Sequence, residues 1–218
     1  MKTYRGVIFD LDGTLLDTVA DIADSANRVL AEYGFPGHDY AAYKTFVGRG
    51  FMDLLHRCFP AGTPEEQFPA ILERMLYQYG KHYLNHTAPY PGIPELLKKL
   101  QHAGIALAVN SNKRDLYTKK LIATLLPGIE FVEVLGEGNG FPRKPEPDGA
   151  LHIAGLMNLS PRQILYVGDS GTDMDTGKNA GMDTVGCLWG FRGEKELKEH
   201  DAIYLAASAG DIAQLFLA

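Results

Sequence analysis

Four short apolar runs, at residues 7–9, 105–109, 131–135 and 164–167, punctuate the chain. Each is mainly apolar, with Glu133 the one charged interruption, and is followed by a polar or glycine-rich cluster, the pattern of a parallel strand buried on both faces. Stretches with helical periodicity precede and separate the later three, such as 94–103, where Leu96, Leu97 and Leu100 share one face. A fifth run, 184–189, follows Gly181 and continues the alternation. Strand and helix alternating in this way predict a doubly wound α/β domain with a mainly parallel sheet.

Residues 16–86 break the alternation. Ile22, Ala26, Val29, Leu30 and Tyr33 recur at helical spacing up to Gly34, with Pro36 beyond as a stop. Further helical stretches fall at 51–58 and 64–83, and the segment contains no buried strand pattern. It reads as a helical block (16–86) inserted into a core made of residues 1–15 and 87–218. Pro89, Pro91, Gly92 and Pro94 mark the return linker.

Composition adds mainly exclusions. Net charge is −6, from 21 basic and 27 acidic residues, with no basic stripe, which argues against a nucleic-acid partner. An anionic substrate would therefore need its positive field supplied locally. No apolar stretch approaches a membrane span, and the first strand begins too early to leave room for a signal peptide. Cys58 and Cys187 have neither metal-ligand nor redox spacing, so two reduced thiols in a cytoplasmic protein are expected.

The candidate chemistry sits where apolar runs end. Asp10-Leu11-Asp12-Gly13-Thr14 follows the first run, at the sheet edge where open α/β folds bind ligands. One of two carboxylates so spaced can act as nucleophile and metal ligand, while the other moves a proton. An EF-hand is excluded because its sixth position requires Gly and Leu15 stands there. Ser111-Asn112 closes the second run, and a hydroxyl there can donate to a phosphoryl oxygen. Lys144 lies in Arg143-Lys144-Pro145-Glu146-Pro147, a loop stiffened by two prolines. Asp169 and Asp173 follow the fourth run, a carboxylate pair suited to Mg²⁺, with Asp175 a solvated helix residue. Residues 136–140 alternate glycine and polar positions but lack the final glycine of a dinucleotide fingerprint, and read as a flexible loop.

In order and type these four stations resemble the motifs of the haloacid dehalogenase superfamily, and Asp12 points to its phosphatase and phosphomutase branches. The resemblance spans nearly the whole chain. It implies a Rossmann-like core with a helical C1 cap at 16–86. It also implies Asp10 as the nucleophile that becomes an aspartyl-phosphate, Asp12 as acid and base, and Lys144 as the charge-neutralising lysine. Mg²⁺ would be held by Asp10, the Asp12 carbonyl, Asp169 and Asp173. Thr14, Ser111 and Asn112 would meet the substrate, a small phosphorylated metabolite. Asn110 departs from the apolar residue usual before the motif serine. The cap and the segment Cys187-Leu188-Trp189-Gly190-Phe191-Arg192 look most like phosphoglycolate phosphatases. Arg49, between Gly48 and Gly50 in the cap, is the candidate partner for a substrate carboxylate, with Lys44 the alternative. A β-phosphoglucomutase-like enzyme, a pyrophosphatase and a phospho-acceptor signalling module are the competing readings.

Overall fold

The computed structural model describes residues 3–217. Gly6–Phe9 forms β1, whose four residues are all buried. Leu16–Asp17 (β2) leads into four helices, Val19–Glu32 (α1), Tyr40–Phe46 (α2), Phe51–Cys58 (α3) and Phe68–His82 (α4), and Ala88–Pro89 (β3) returns the chain. The rest alternates: Ile93–His102 (α5), Ala106–Arg114 (β4), Asp115–Leu125 (α6), Glu133–Glu137 (β5), Asp148–Met157 (α7), Ile164–Gly168 (β6), Gly171–Asn179 (α8), Asp183–Cys187 (β7), Glu194–Glu199 (α9), Tyr204–Ala206 (β8) and Ala209–Leu217 (α10).

Six strands form a parallel sheet in the order β5-β4-β1-β6-β7-β8. Successive side chains of β1 point to opposite faces. Val7 and Phe9 join a cluster with Ile93, Leu97, Leu121 and Ile212 of α5, α6 and α10. Ile8 joins Ala150, Ile153, Tyr166 and Met182 on the α7 side. Burial on both faces is why these strands read as unbroken apolar runs. The chain builds outward from β1 through β4 to β5, then crosses to β6 and builds the other way. The order therefore reverses between β1 and β6, the position where such sheets open a ligand crevice.

Several expected boundaries move. The run at 105–109 becomes a strand reaching Arg114, with a register irregularity between Asn110 and Arg114. Ser111 and Asn112 thus lie on an irregular strand extension, not at the start of a helix. The strand expected at 131–135 is Glu133–Glu137, which absorbs the first two residues of the predicted loop 136–140. The expected 184–189 strand is Asp183–Cys187, and the edge strand β8 is new.

The helical block has its own apolar cluster, including Ile22, Leu30, Tyr43, Leu54, Ile71, Met75 and Tyr79, joined from the core by Tyr117 of α6. Its base is a short antiparallel ribbon, Leu16 opposite Pro89 and Asp17 opposite Ala88, which the helical expectation for this segment lacked. Asp21 on α1 braces that ribbon. Its buried carboxylate accepts from the backbone of His86 at 3.0 Å and of Thr87 at 2.9 Å, and from the Thr87 hydroxyl at 2.7 Å. Among the described residues no helix is long and apolar enough to cross a membrane.

Candidate active site

The loops after β1 and β6 bring Asp10 and Asp169 to the two sides of the switch point. Gly13 allows this closeness. Its φ of 88° belongs to the left-handed region, and a Cβ there would overlap the Asp169 carboxylate. Asp10, Asp169 and Asp173 each offer an oxygen, and these atoms lie within 4.8 Å of one another.

Lys144 ties the cluster together. Its buried ammonium donates to Asp10 Oδ1 and to Asp173 Oδ1, both at 2.7 Å. Burial by itself would depress this lysine, but the two carboxylates hold it well above its ordinary range. Burial pushes the Asp10 carboxyl up to about 7; Lys144 pulls it back, while Asp173 and Asp12 add to the rise. Asp169 is pushed well above the usual carboxylate range by burial, with Asp173 and Asp10 adding repulsion. Three buried carboxylates facing one ammonium leave an excess of negative charge that a divalent cation would offset.

The donor set fits such a cation. All three donors are hard carboxylate oxygens, the type that Mg²⁺ and Ca²⁺ prefer. Lys144 occupies one oxygen of Asp10, and the Phe191 backbone N–H, at 2.6 Å, occupies Oδ2 of Asp169. The second oxygen of each remains available as a ligand. Both oxygens of Asp173 are engaged, Oδ1 by Lys144 and Oδ2 by the Ser170 N–H and hydroxyl. That arrangement suits Asp173 to orienting a metal-bound water more than to direct ligation.

Asp12 is held apart from this cluster. Lys113 donates to its two carboxylate oxygens at 2.8 and 3.0 Å, and the Thr18 hydroxyl donates to Oδ1 at 2.8 Å. Burial works against the Lys113 charge, yet Asp12 raises it above the ordinary lysine range. Sequence reasoning did not single out Lys113. The only signal was its place beside Ser111-Asn112, because its partner lies 101 positions away.

The remaining expected residues are distributed as follows. Ser111 is buried in the cavity wall, where its Oγ accepts from the Lys113 N–H at 3.2 Å. Asn112 lines the same cavity but spends its side chain on the backbone, accepting from Lys144 N at 2.9 Å and donating to Gly48 O at 2.9 Å. It positions the Lys144 loop against the helical block. Thr14 is buried, and its Oγ1 has no hydrogen-bond partner among the described residues. Asn110 is accommodated inside the core, its carbonyl accepting from the buried Tyr166 hydroxyl at 3.4 Å. Asp175 Oδ2 accepts from His200 Nδ1 at 2.9 Å instead of standing free.

Arg49 is corrected. Its side chain is exposed and belongs to an outer cleft of about 470 Å³, while the central cavity is lined instead by Arg192 and Arg114. The segment at 187–192 wraps the site. Trp189 donates to Thr14 O at 3.1 Å, Phe191 binds Asp169, and Arg192 Nη2 donates to Thr45 O and Val47 O at 3.1 and 2.9 Å. With Asn112 on Gly48 O and Arg143 Nη1 on Arg49 O at 3.0 Å, three core side chains grip one stretch of the helical block. The cavity left beneath is about 30 Å³, room for one or two waters.

The chain is similar in sequence and fold to known proteins. A phosphoglycolate phosphatase of Psychrobacter arcticus is 32% identical over 88% of this chain and 87% of its own length. One from Haemophilus influenzae is 32% identical over 97% of this chain and 96% of its own. The crystal structure of a predicted phosphoglycolate phosphatase from Haemophilus somnus superposes with a TM-score of 0.91 at 28% identity, covering 99% of both chains. A family model for haloacid dehalogenase-like hydrolases matches residues 7–187, from β1 through the end of β7 and so across every carboxylate of the site. By its match to this family model and its likeness to these relatives, the chain belongs to the haloacid dehalogenase-like hydrolases.

Proposed function

We propose that this hydrolase is a Mg²⁺-dependent phosphatase acting on a small phosphate monoester of the phosphoglycolate type. The reading rests foremost on one observation: a buried nucleophile candidate, Asp10, paired with Lys144 at the switch point, with Asp12 two residues on, lining the same cavity but paired with Lys113. The names of its relatives support the substrate class. Two free, buried thiols suit a reducing cytoplasmic setting.

In this proposal Asp10 attacks phosphorus in line and carries the phosphoryl group as an aspartyl-phosphate. Lys144 offsets charge on the nucleophile and on the phosphoryl oxygens. Asp12 gives a proton to the departing alcohol oxygen and later takes one from the attacking water. Lys113 and Thr18 hold Asp12 in the orientation for both transfers. A bound divalent ion, held by Asp10 and Asp169 with Asp173 behind it, would supply charge stabilisation for the transferring group. The block at 16–86 acts as a cap. With about 30 Å³ beneath it, it must open to admit any ester and close to exclude bulk water.

The test is hydrolysis across a panel of small phosphate esters with and without Mg²⁺, together with Asp12→Asn on an aryl and an alkyl phosphate. Asp12→Asn should still release the aryl leaving group in a single burst, because a good leaving group needs little protonation, yet fail to turn over. Normal turnover of the alkyl ester by that variant refutes the assignment.

A further inference from the structure

We infer that Arg192 is the specificity-determining residue for the non-reacting end of the substrate, recognising a carboxylate and coupling its arrival to cap closure. The inference rests on the proposed phosphatase function and extends it to the group that selects the ester. The observation behind it is an unsatisfied donor. Arg192 Nη1 is buried and has no hydrogen-bond partner among the described residues. A buried donor left unpaired is a standing cost, which an anionic oxygen at that position removes.

Charge placement points the same way. Of the basic residues lining the central cavity, Lys144 is committed to Asp10 and Asp173, and Lys113 to Asp12. Neither is free to meet a second anionic group. Arg192 lines both the central cavity and the outer cleft, and its side chain is 17% exposed. Its Nε lies 3.4 Å from Glu196 Oε1, and its Nη2 spans Thr45 O and Val47 O of the cap. Nη1 alone remains. Arg114 also lines the cavity, half-buried, but among the described residues its side chain makes no hydrogen bond or ion pair to the cap and has no buried orphan atom.

The geometry gives Arg192 two tasks through one rigid group. A guanidinium is planar, so fixing Nη1 on a substrate oxygen also fixes Nη2 for the two cap carbonyls. An ester lacking an anionic far end leaves Nη1 unpaired in the closed state and so closes the cap less favourably. Selection for the carboxylate follows from that difference.

Phosphoglycolate and ethyl phosphate differ mainly in the far-end carboxylate, and they are the probes. Arg192→Gln should lower kcat/KM for phosphoglycolate at least 30-fold and for ethyl phosphate less than 5-fold. Arg192→Lys should recover part of the preference. Arg143→Ala, which removes a cap grip away from the central cavity, should affect both esters by the same factor. Far-ultraviolet circular dichroism and a thermal melt establish that each variant is folded. Equal losses on both esters in Arg192→Gln, or loss of the preference in Arg114→Gln instead, overturn the inference and leave the phosphatase reading standing. A wild-type enzyme that hydrolyses neither ester removes that reading and the inference together.

Discussion

Replacing Asp10 by Asn should abolish turnover and, in the metal-free protein, make the fold more stable. The reason is linkage. An unfolded aspartate titrates near ~3.9, whereas burial lifts Asp10 to about 7 in the folded chain. Between those values the native state holds a proton that the unfolded state has released, so wild-type stability falls as pH rises through that window. A shift of about three units corresponds to a ceiling of about 4 kcal/mol, and dielectric relaxation should leave about 1 to 3 kcal/mol to be measured. Asparagine has no such proton to lose. The variant's advantage should therefore be near zero around pH 4, grow up to pH 7 and level off above it. Urea unfolding at several pH values in excess chelator measures this directly. Added Mg²⁺ should narrow the gap by stabilising the wild type more than the variant. A stability difference independent of pH, or a variant less stable than wild type at pH 8, would refute the account of a strained, charge-frustrated nucleophile.

Lys144→Met should eliminate activity and destabilise the protein by about 3 to 5 kcal/mol, because it strands two buried carboxylates; activity assays and denaturant midpoints check both. Lys113→Met leaves Asp12 with only its Thr18 bond, and should lower kcat more for alkyl than for aryl phosphates, since only the former depend on proton donation. Arg49→Ala should change KM for phosphoglycolate by no more than about twofold, as expected of an exposed side chain within about 0.5 kcal/mol of neutrality. A larger effect would return Arg49 to the substrate.

Much of this was readable in the sequence because both the sheet and the site are written locally. A strand buried on two faces needs an unbroken apolar run, and the polar residues that end each run fall at one sheet edge. Asp10 and Asp169 were legible on those grounds, and Lys144 through its proline-flanked loop. The edge strand at Tyr204–Ala206 was not: three residues, two of them only half-buried, make no run. Lys113 was missed because a lysine is ordinarily solvated, and only the irregular extension of β4 turns this one inward. Arg49 drew attention through its flanking glycines. The path of the chain places its side chain outside, and hands the cavity to an arginine some 140 positions later, a distance that no local pattern spans.

The grip on the cap has a further consequence. Asn112, Arg143 and Arg192 all hold peptide oxygens, those of Thr45, Val47, Gly48 and Arg49. A peptide oxygen is the same whichever side chain its residue carries. The proposed closure is thus insulated from mutation at Thr45 and Arg49, whose side chains are exposed, and depends on identity at Val47, buried in the block's own apolar cluster, and at Gly48 and Gly50, whose φ values of 128° and 84° exclude most side chains. The rim of the entrance can change its chemistry through drift while the door keeps its fit. A fold latched in this way can explore new substrates without first losing the ability to shut.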